Sequence, residues 1–347
     1  MATTRKNISK PKTVNIGLIQ MSAEPLNIHA NLAKAEHYIS QAAKAGAEIA
    51  VLPEMFNVGF STSENLMNLG ENLDGYTVTW LKDQAEKNNI YIITSIYEKY
   101  ESYFYNTMVM VGNDSSIQFY RKRNPTCQER LVWKRFETPG PGIFETPFGR
   151  VGGAICFDSF SKETFEGFSR SEVDIIIIVA LWGTILPMLK YPDSIYFNRL
   201  LKYQSYLASE VVPYKYAIEL NVPAVFVNQS GTINLPITHP RFYPSSSWPN
   251  SKYEFVGNSN IHDKTGNKLI NNVEVKSEFC CVAAVEINQA KKRLQLLLID
   301  TPPNYIDKDY YFVVPPYMFR FYQKMCFTGF EQEYEKIRCK YTGVSEN

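Results

Sequence analysis

Short apolar runs rich in β-branched and aromatic residues alternate with helix-period segments along most of this 347-residue chain, and that alternation limits the fold more than any other feature. Val14 to Met21 is apolar and β-rich, and His29 to Ala45 then repeats apolar residues at helical spacing. Glu48 to Leu52 reads as a buried strand. A helix near Thr77 to Asn88 leads to a strand at Ile90 to Ile96, and Tyr105 to Tyr120 reads as a hairpin turning at Gly112-Asn113-Asp114. Arg150 to Cys156 and Val173 to Val179 are strands around a short helical piece. Asp193 to Leu220 is a long amphipathic stretch, and Ala224 to Asn228 is a further strand. Strands exchanged this regularly with helices predict an α/β architecture, because each helix has to bury its apolar stripe against a sheet.

The length suits one large domain or two ordinary ones, and 45% hydrophobic content supplies enough side chains for a large core. Residues 1–12 are polar and basic and read as a flexible N-terminal arm. Residues 13–300 form the main domain, with no sharp change of composition to split it. Within it, the Pro- and Ser-rich segment from Thr232 to Ser251 reads as a long surface loop. After Asn288 a helical QAKKRLQLLL segment leads into residues 301–347, an extension crowded with aromatic side chains from Tyr305 to Tyr322. So many rings have to cover something, either their own subunit or a neighbour.

Thirty-six basic against thirty-five acidic residues leave a formal charge of +1, so no general field draws the chain to nucleic acid or to an anionic membrane. A small neutral or mixed substrate fits better. The apolar run from Val14 to Ile19 is too short for a signal-peptide core or a membrane span. Cysteines at 127, 156, 280, 281, 326 and 339 show neither CxxC spacing nor a dense disulfide framework, which points to a reducing cytoplasm. His29, His37, His239 and His262 make no HxxxH or HExxH arrangement, so no metal site is expected.

Three side chains stand where strand-like runs end. Glu54, in AVLPEMF, follows a buried strand and a turning proline, a place where ligand sites of α/β sheets collect, although a glutamate there is commonly a loop charge. Lys122 lies in Arg121-Lys122-Arg123 just past another β-type run, and a solvated basic cluster is its ordinary reading. Cys156 ends GRVGGAIC, where Gly152 and Gly153 permit close backbone approach and Ser159 or Ser161 can open the next helix. A cysteine so placed receives helix N-terminal N–H groups that favour a thiolate, whereas a buried strand cysteine is otherwise a small hydrophobe.

Taken in order, LPE, then YRK followed by P-T-x-x-E-R, then G-R-V-G-G-x-I-C resemble the Glu-Lys-Cys signature of the nitrilase superfamily of amidases, nitrilases and carbamoylases. The resemblance covers about residues 13 to 288. ENLDGYTVTWLKDQAEKNNIYIITS resembles the family's third strand–helix region, VDIIIIVALW its strand after the nucleophile, and FVGNSNIHDKTGN its late hairpin. The resemblance implies a four-layer α-β-β-α sandwich, a homo-oligomer, and no metal or organic cofactor. It further implies cleavage of a non-peptide carbon–nitrogen bond of a small amide through a Cys156 thioester. Glu54 is then the general base and Lys122 the oxyanion donor, with a backbone N–H near Phe157 beside it. Glu129 occupies the place of a second family acid that orients the lysine, the alternative being a surface ion pair with Arg130.

The subclass signals diverge. Pro125, Thr126, Glu129, Arg130 and Trp133 resemble nitrilases proper, whereas Cys156-Phe157-Asp158 is closer to the Cys-aromatic-Asp of amidases. Phe160 stands where many amidases and carbamoylases carry an arginine for a substrate carboxylate. Phe60 and Trp182 are expected to build an apolar pocket wall, with Phe157 and Phe160 also in contact with substrate, or else to pack in the core. A nitrile or carbamoyl substrate, and a non-catalytic scaffold of the same fold, are the other readings of the family match. A Cys-His hydrolase would need His239 or His262 as base.

Overall fold

The computed structural model describes residues 12–126, 128–137, 140–185, 193–236, 250–270, 274–287, 332 and 334–344. The chain enters through β1 (Lys12–Gln20), which takes in the last residue of the expected arm; residues 1–11 lie outside the described part. Helix α1 (Ile28–Lys44) opens at Asn27, whose side chain accepts the Ala30 N–H, and Leu32, Ala35, Ile39 and Ala42 form its buried stripe. Next come β2 (Ile49–Val51), α2 (Tyr76–Asn88), β3 (Tyr91–Tyr100), β4 (Tyr103–Val111) and β5 (Ile117–Arg121). They are followed by β6 (Gly142–Thr146), β7 (Gly149–Ile155), α3 (Lys162–Arg170), β8 (Ile175–Ala180) and β9 (Gly183–Ile185). The rest runs α4 (Asp193–Tyr206), α5 (Val212–Leu220), β10 (Ala224–Asn228), β11 (Thr232–Pro236), β12 (Asn250–Phe255), β13 (Asn260–His262) and β14 (Phe279–Ile287).

Two sheets form the centre, one in the order β14-β1-β2-β3-β4-β5 and the other β13-β10-β8-β7-β6. The period-2 pattern of the first sheet sorts its side chains cleanly. Val14, Ile16, Leu18, Ile49, Val51, Ile93, Met108 and Met110 face the second sheet. Ile19, Ala50, Leu52, Ile92, Val109 and Val111 face α1 and α2. A one-residue slip would exchange the two sets, so burial on both faces pins the register. In the second sheet Ile175 to Val179 is buried throughout, as expected of a parallel strand covered on one side by the first sheet and on the other by α3 and α5. The layers are therefore α-β-β-α, as the resemblance implies.

The structure corrects one reading of the sequence. The Pro- and Ser-rich segment is not loop at its ends: β11 and β12 pair antiparallel and join β9 in a third, three-stranded sheet. Pairing partners distant in sequence leave no local periodicity to detect. The amphipathic stretch from Asp193 is helical to Leu220, with a π-helical turn over Leu207–Val211 between α4 and α5, next to Pro213, which has no N–H for the helical ladder. The helical segment after Asn288 and the aromatic residues up to Tyr322 lie outside the described residues. The end of the extension, residues 334–342, is a helix that packs on its own subunit, burying Tyr334 and Ile337. No helix among the described residues is long and apolar enough to cross a membrane.

Candidate active site

The carboxyl ends of β2, β5 and β7 bring Glu54, Lys122 and Cys156 to one place. Beyond β2 the chain is held by side chains from β3: the Thr94 hydroxyl donates to the Pro53 carbonyl at 3.0 Å, and the Met55 N–H donates to the Ser95 hydroxyl at 3.0 Å. Met55 takes a φ of +55°, so the turn aims Glu54 inward at the expense of local strain. Gln229 closes the arrangement, its Nε2 donating to the Glu54 carbonyl at 2.8 Å.

Lys122 leaves β5 with its N–H donated to the Asn106 carbonyl at 2.8 Å. Its Nζ bonds Glu54 Oε1 at 2.7 Å and Glu129 Oε1 at 2.8 Å, and neither Lys122 nor Glu54 is exposed at all. Asn106 Nδ2 donates to the same Glu54 oxygen at 2.6 Å, while Glu54 Oε2 is buried with no hydrogen-bond partner among the described residues. Glu129 sits in the 3-10 turn Gln128–Leu131, and its Oε2 accepts the Thr126 N–H at 2.7 Å. This acid is thus a buried partner of Lys122, not a surface charge.

The Arg121-Lys122-Arg123 run is likewise no solvated patch. Arg121 makes a bidentate pair with Glu98 at 2.6 Å and lies 4.1 Å from the centre of the Tyr100 ring; Arg123 is buried and pairs with Glu163.

Cys156 follows β7 and begins the 3-10 turn Cys156–Phe160 with a φ of +49°. The glycine pair before it is explained by close packing: a Cβ on Gly153 would lie 2.4 Å from Phe144 and 2.5 Å from Met108 Sδ. Behind the turn, the Tyr216 hydroxyl of α5 donates to the Ser159 carbonyl at 2.9 Å. Glu54, Glu129 and Cys156 present one oxygen or sulfur each within 4.8 Å of one another. That spacing could hold a cation, and the Lys122 ammonium already supplies the counter-charge to both carboxylates.

Electrostatics follow from burying two carboxylates around one ammonium. Burial pushes the Glu54 carboxyl up to about 7, against the pull of Lys122. Burial by itself would lower Lys122, but Glu129 and Glu54 outweigh it and hold the ammonium well above its ordinary value. Burial and then the Glu54 charge push the Cys156 thiol up, with Lys122 and the Leu181 backbone N–H opposing them. The Cys156 thiol is accordingly neutral at rest, and a carboxyl pushed up to about 7 stands beside it.

The aromatic residues divide into two groups. Phe157, Phe160 and Trp182 contact one another, with Phe157 and Phe160 stacked at 5.6 Å. Phe60 instead meets Trp133 at 6.3 Å and Tyr253 at 6.0 Å. Trp182 and Phe60 belong to separate clusters of buried side chains. His262 lies on β13 against Tyr214, where burial pushes it down to about 4. His239 lies outside the described residues.

Several residues of the site escaped the sequence reading. Asp158 Oδ1 accepts from the Asn124 N–H at 2.8 Å and from Asn124 Nδ2 at 2.9 Å, and its Oδ2 accepts the Tyr120 hydroxyl at 3.0 Å. It thereby ties the segment bearing Lys122 to the turn bearing Cys156. Asn106, a lone amide in an otherwise apolar strand, carried a signal that could have been noticed. Tyr253 carried none; it reaches the Leu181 carbonyl at 3.4 Å and is influenced by the charges of Cys156, Glu129 and Glu54.

Cys156, Lys122 and Glu54 are gathered beyond strand ends of an α-β-β-α sandwich, with Glu129 reaching them from a 3-10 turn. The carbon-nitrogen hydrolase family model matches residues 15–293, and the chain belongs to that family. A nitrilase of Pyrococcus abyssi is 33% identical over 166 residues, 47% of this chain and 63% of that protein. Nitrilase 1 of Arabidopsis thaliana is 28% identical over 177 residues, 46% of this chain and 51% of that protein. An omega-amidase of Bos taurus is 30% identical over 174 residues, 48% of this chain and 62% of that protein. The chain thus spans between about half and two thirds of the length of these curated relatives. Among solved structures, a carbon-nitrogen hydrolase from Helicobacter pylori superposes with a TM-score of 0.63 at 19% identity, over 79% of this chain and 89% of that one. Saccharomyces cerevisiae Nit3, a member of the nitrilase superfamily, does so with 0.61 at 20% identity, over 79% and 90%.

Proposed function

We propose that the chain is a cysteine hydrolase acting on a carbon–nitrogen bond of a small, neutral amide with an apolar acyl group. The observation that carries this reading is the Lys122 ammonium fixed between Glu54 and Glu129, with Cys156 on a strained turn beside them. Ionised Glu54 takes the thiol proton as Sγ attacks the carbonyl carbon. The oxyanion that forms is met by Lys122, whose charge is present throughout the physiological range. Glu54 returns the proton to the departing nitrogen, leaving a thioester. Water then gives a proton to the same carboxylate, attacks the acyl carbon, and the collapse of the second tetrahedral intermediate releases the acid and a reprotonated Cys156.

The apolar acyl group is argued from Phe157 and Phe160, which follow Cys156 in its turn and contact one another and Trp182. A nitrile is the second reading, favoured by the Thr126–Trp133 segment that delivers Glu129 and by the Pyrococcus relative. The proposal extends to a homo-oligomer, supported by the exposed Tyr203, Tyr206 and Tyr214 of α4 and α5. Light scattering that gave a monomer at micromolar concentration would remove that part.

Ammonia release from purified protein, screened against aliphatic amides, arylaliphatic amides, nitriles and carbamoyl compounds, tests the reaction class. Activity is expected on uncharged amides and should vanish in Cys156→Ala. Turnover above a tenth of wild type in that variant would sink the nucleophile assignment.

A further inference from the structure

The terminal helix, residues 334–342, lies beyond the stretch that matches the family model, yet it packs on the apolar cluster that flanks the site. Tyr334 and Ile337 are buried there with Met55, which follows Glu54, and with Phe60 and Trp133. Arg338 is 3% exposed and lies 4.7 Å from the centre of the Tyr103 ring, so the helix is anchored along its length.

The route from this helix to the site is short. The Phe104 N–H donates to the Tyr334 hydroxyl at 3.1 Å, and the Phe104 carbonyl accepts the Lys134 N–H at 2.8 Å. The Phe104 ring stacks on Tyr97 at 5.4 Å with planes 9° apart. Tyr97 in turn donates its hydroxyl to the Val132 carbonyl at 2.6 Å and meets Trp133 edge-on at 6.2 Å. Both Val132 and Trp133 donate their N–H groups to the Glu129 carbonyl at 3.0 Å. One phenol from the end of the chain thus braces the segment that carries Glu129 and the Trp133 ring. Phe104 is 1% exposed, so its N–H would be left without an acceptor if the hydroxyl were removed.

We propose that the terminal helix is a positioning element of the active site, with Tyr334 holding the Glu129–Trp133 segment in place through Phe104 and Tyr97. The inference rests on the reading of Cys156 as nucleophile. A helix that merely added stability would leave the shape of the pocket unchanged once the protein is folded, and that difference can be measured.

The test uses the full chain and two alkylating reagents, iodoacetamide and the bulkier N-phenyl iodoacetamide, with the modification of Cys156 followed by peptide mapping. In Tyr334→Ala, which loses both the buried ring and the hydrogen bond, the ratio of bulky to small reagent rates is expected to fall about fivefold, while the iodoacetamide rate stays within about twofold of wild type. Tyr334→Phe keeps the ring and loses only the acceptor, and should move the ratio the same way by about twofold. It decides the matter if the alanine variant does not fold. An unchanged ratio with a reactive Cys156, or an equal fall of both rates, overturns the positioning role alone. A wild-type Cys156 that alkylates no faster than Cys280 overturns the hydrolase reading and this one with it.

Discussion

Lys122 and Glu54 meet at 2.7 Å with neither side chain reaching solvent, and the second carboxylate on the same ammonium, Glu129, leaves the trio with one excess negative charge. Isolated buried charge is expensive, so the trio stores a drive to take up a proton, and Glu54 is where burial sends it. A carboxylate that regains a proton readily is what a base shuttling protons from thiol to amine requires.

The pH dependence follows with a definite sign. Glu54 must be ionised to accept the thiol proton, and its carboxyl is pushed up to about 7, so kcat/KM should rise with pH through an acidic limb near that value. The Cys156 thiol and the Lys122 ammonium are both raised, so no alkaline limb is expected in the neutral range. A pH–rate profile flat from 5 to 8, or one limited near the ordinary carboxylate range of about 4, would contradict the assignment of the base.

Lys122→Met keeps much of the stem volume and removes the charge. The variant should lose about 10²-fold or more in kcat, the scale of an oxyanion donor, with a smaller change in KM. Because Lys122 pulls the Glu54 pKa down, its removal should also move any residual acidic limb above 7. Wild-type kcat, or a limb displaced to lower pH, would count against the role of the ammonium.

Asp158→Asn tests the tie between the two loops. The amide can still accept one bond but loses the charge that draws the Asn124 and Arg123 N–H groups, a difference of about 1.5–3 kcal/mol for a charged acceptor. The expected result is a roughly tenfold lower kcat with the Glu54 limb in place, since Asp158 does not touch that carboxylate. Steady-state kinetics across pH check it; an unaltered kcat rules out a positioning role.

Gly153→Ala should weaken the fold and not the chemistry directly. Its new methyl would press on Phe144 and Met108 between the two sheets, and overpacking of this kind costs about 1–3 kcal/mol. A lower urea midpoint with unchanged slope is the expected outcome. A midpoint equal to wild type would show that Met108 yields without cost.

How much of this was legible in the sequence depended on the range of the signal. Most elements from β1 to β10, β6 and β9 excepted, are encoded by residues a few positions apart: β-branched runs, a three-and-four apolar spacing in α1, Gly152 and Gly153 before the thiol. So too were Glu54, Lys122 and Cys156, because each stands at the end of a run with its own turn chemistry. What the sequence by itself determined was therefore the layer architecture and the candidate side chains that the fold gathers at one place. Only the tertiary structure decided their surroundings. Asn106 lies 52 positions from the carboxylate it bonds, Gln229 lies 175 from the carbonyl it holds, and Tyr334 lies 230 from the Phe104 amide. The burial of Arg121 to Arg123 and the strands β11 and β12 also arise from partners brought together by packing. Local periodicity records which face a residue turns to the core, and the residue that will meet it there is selected by the fold as a whole.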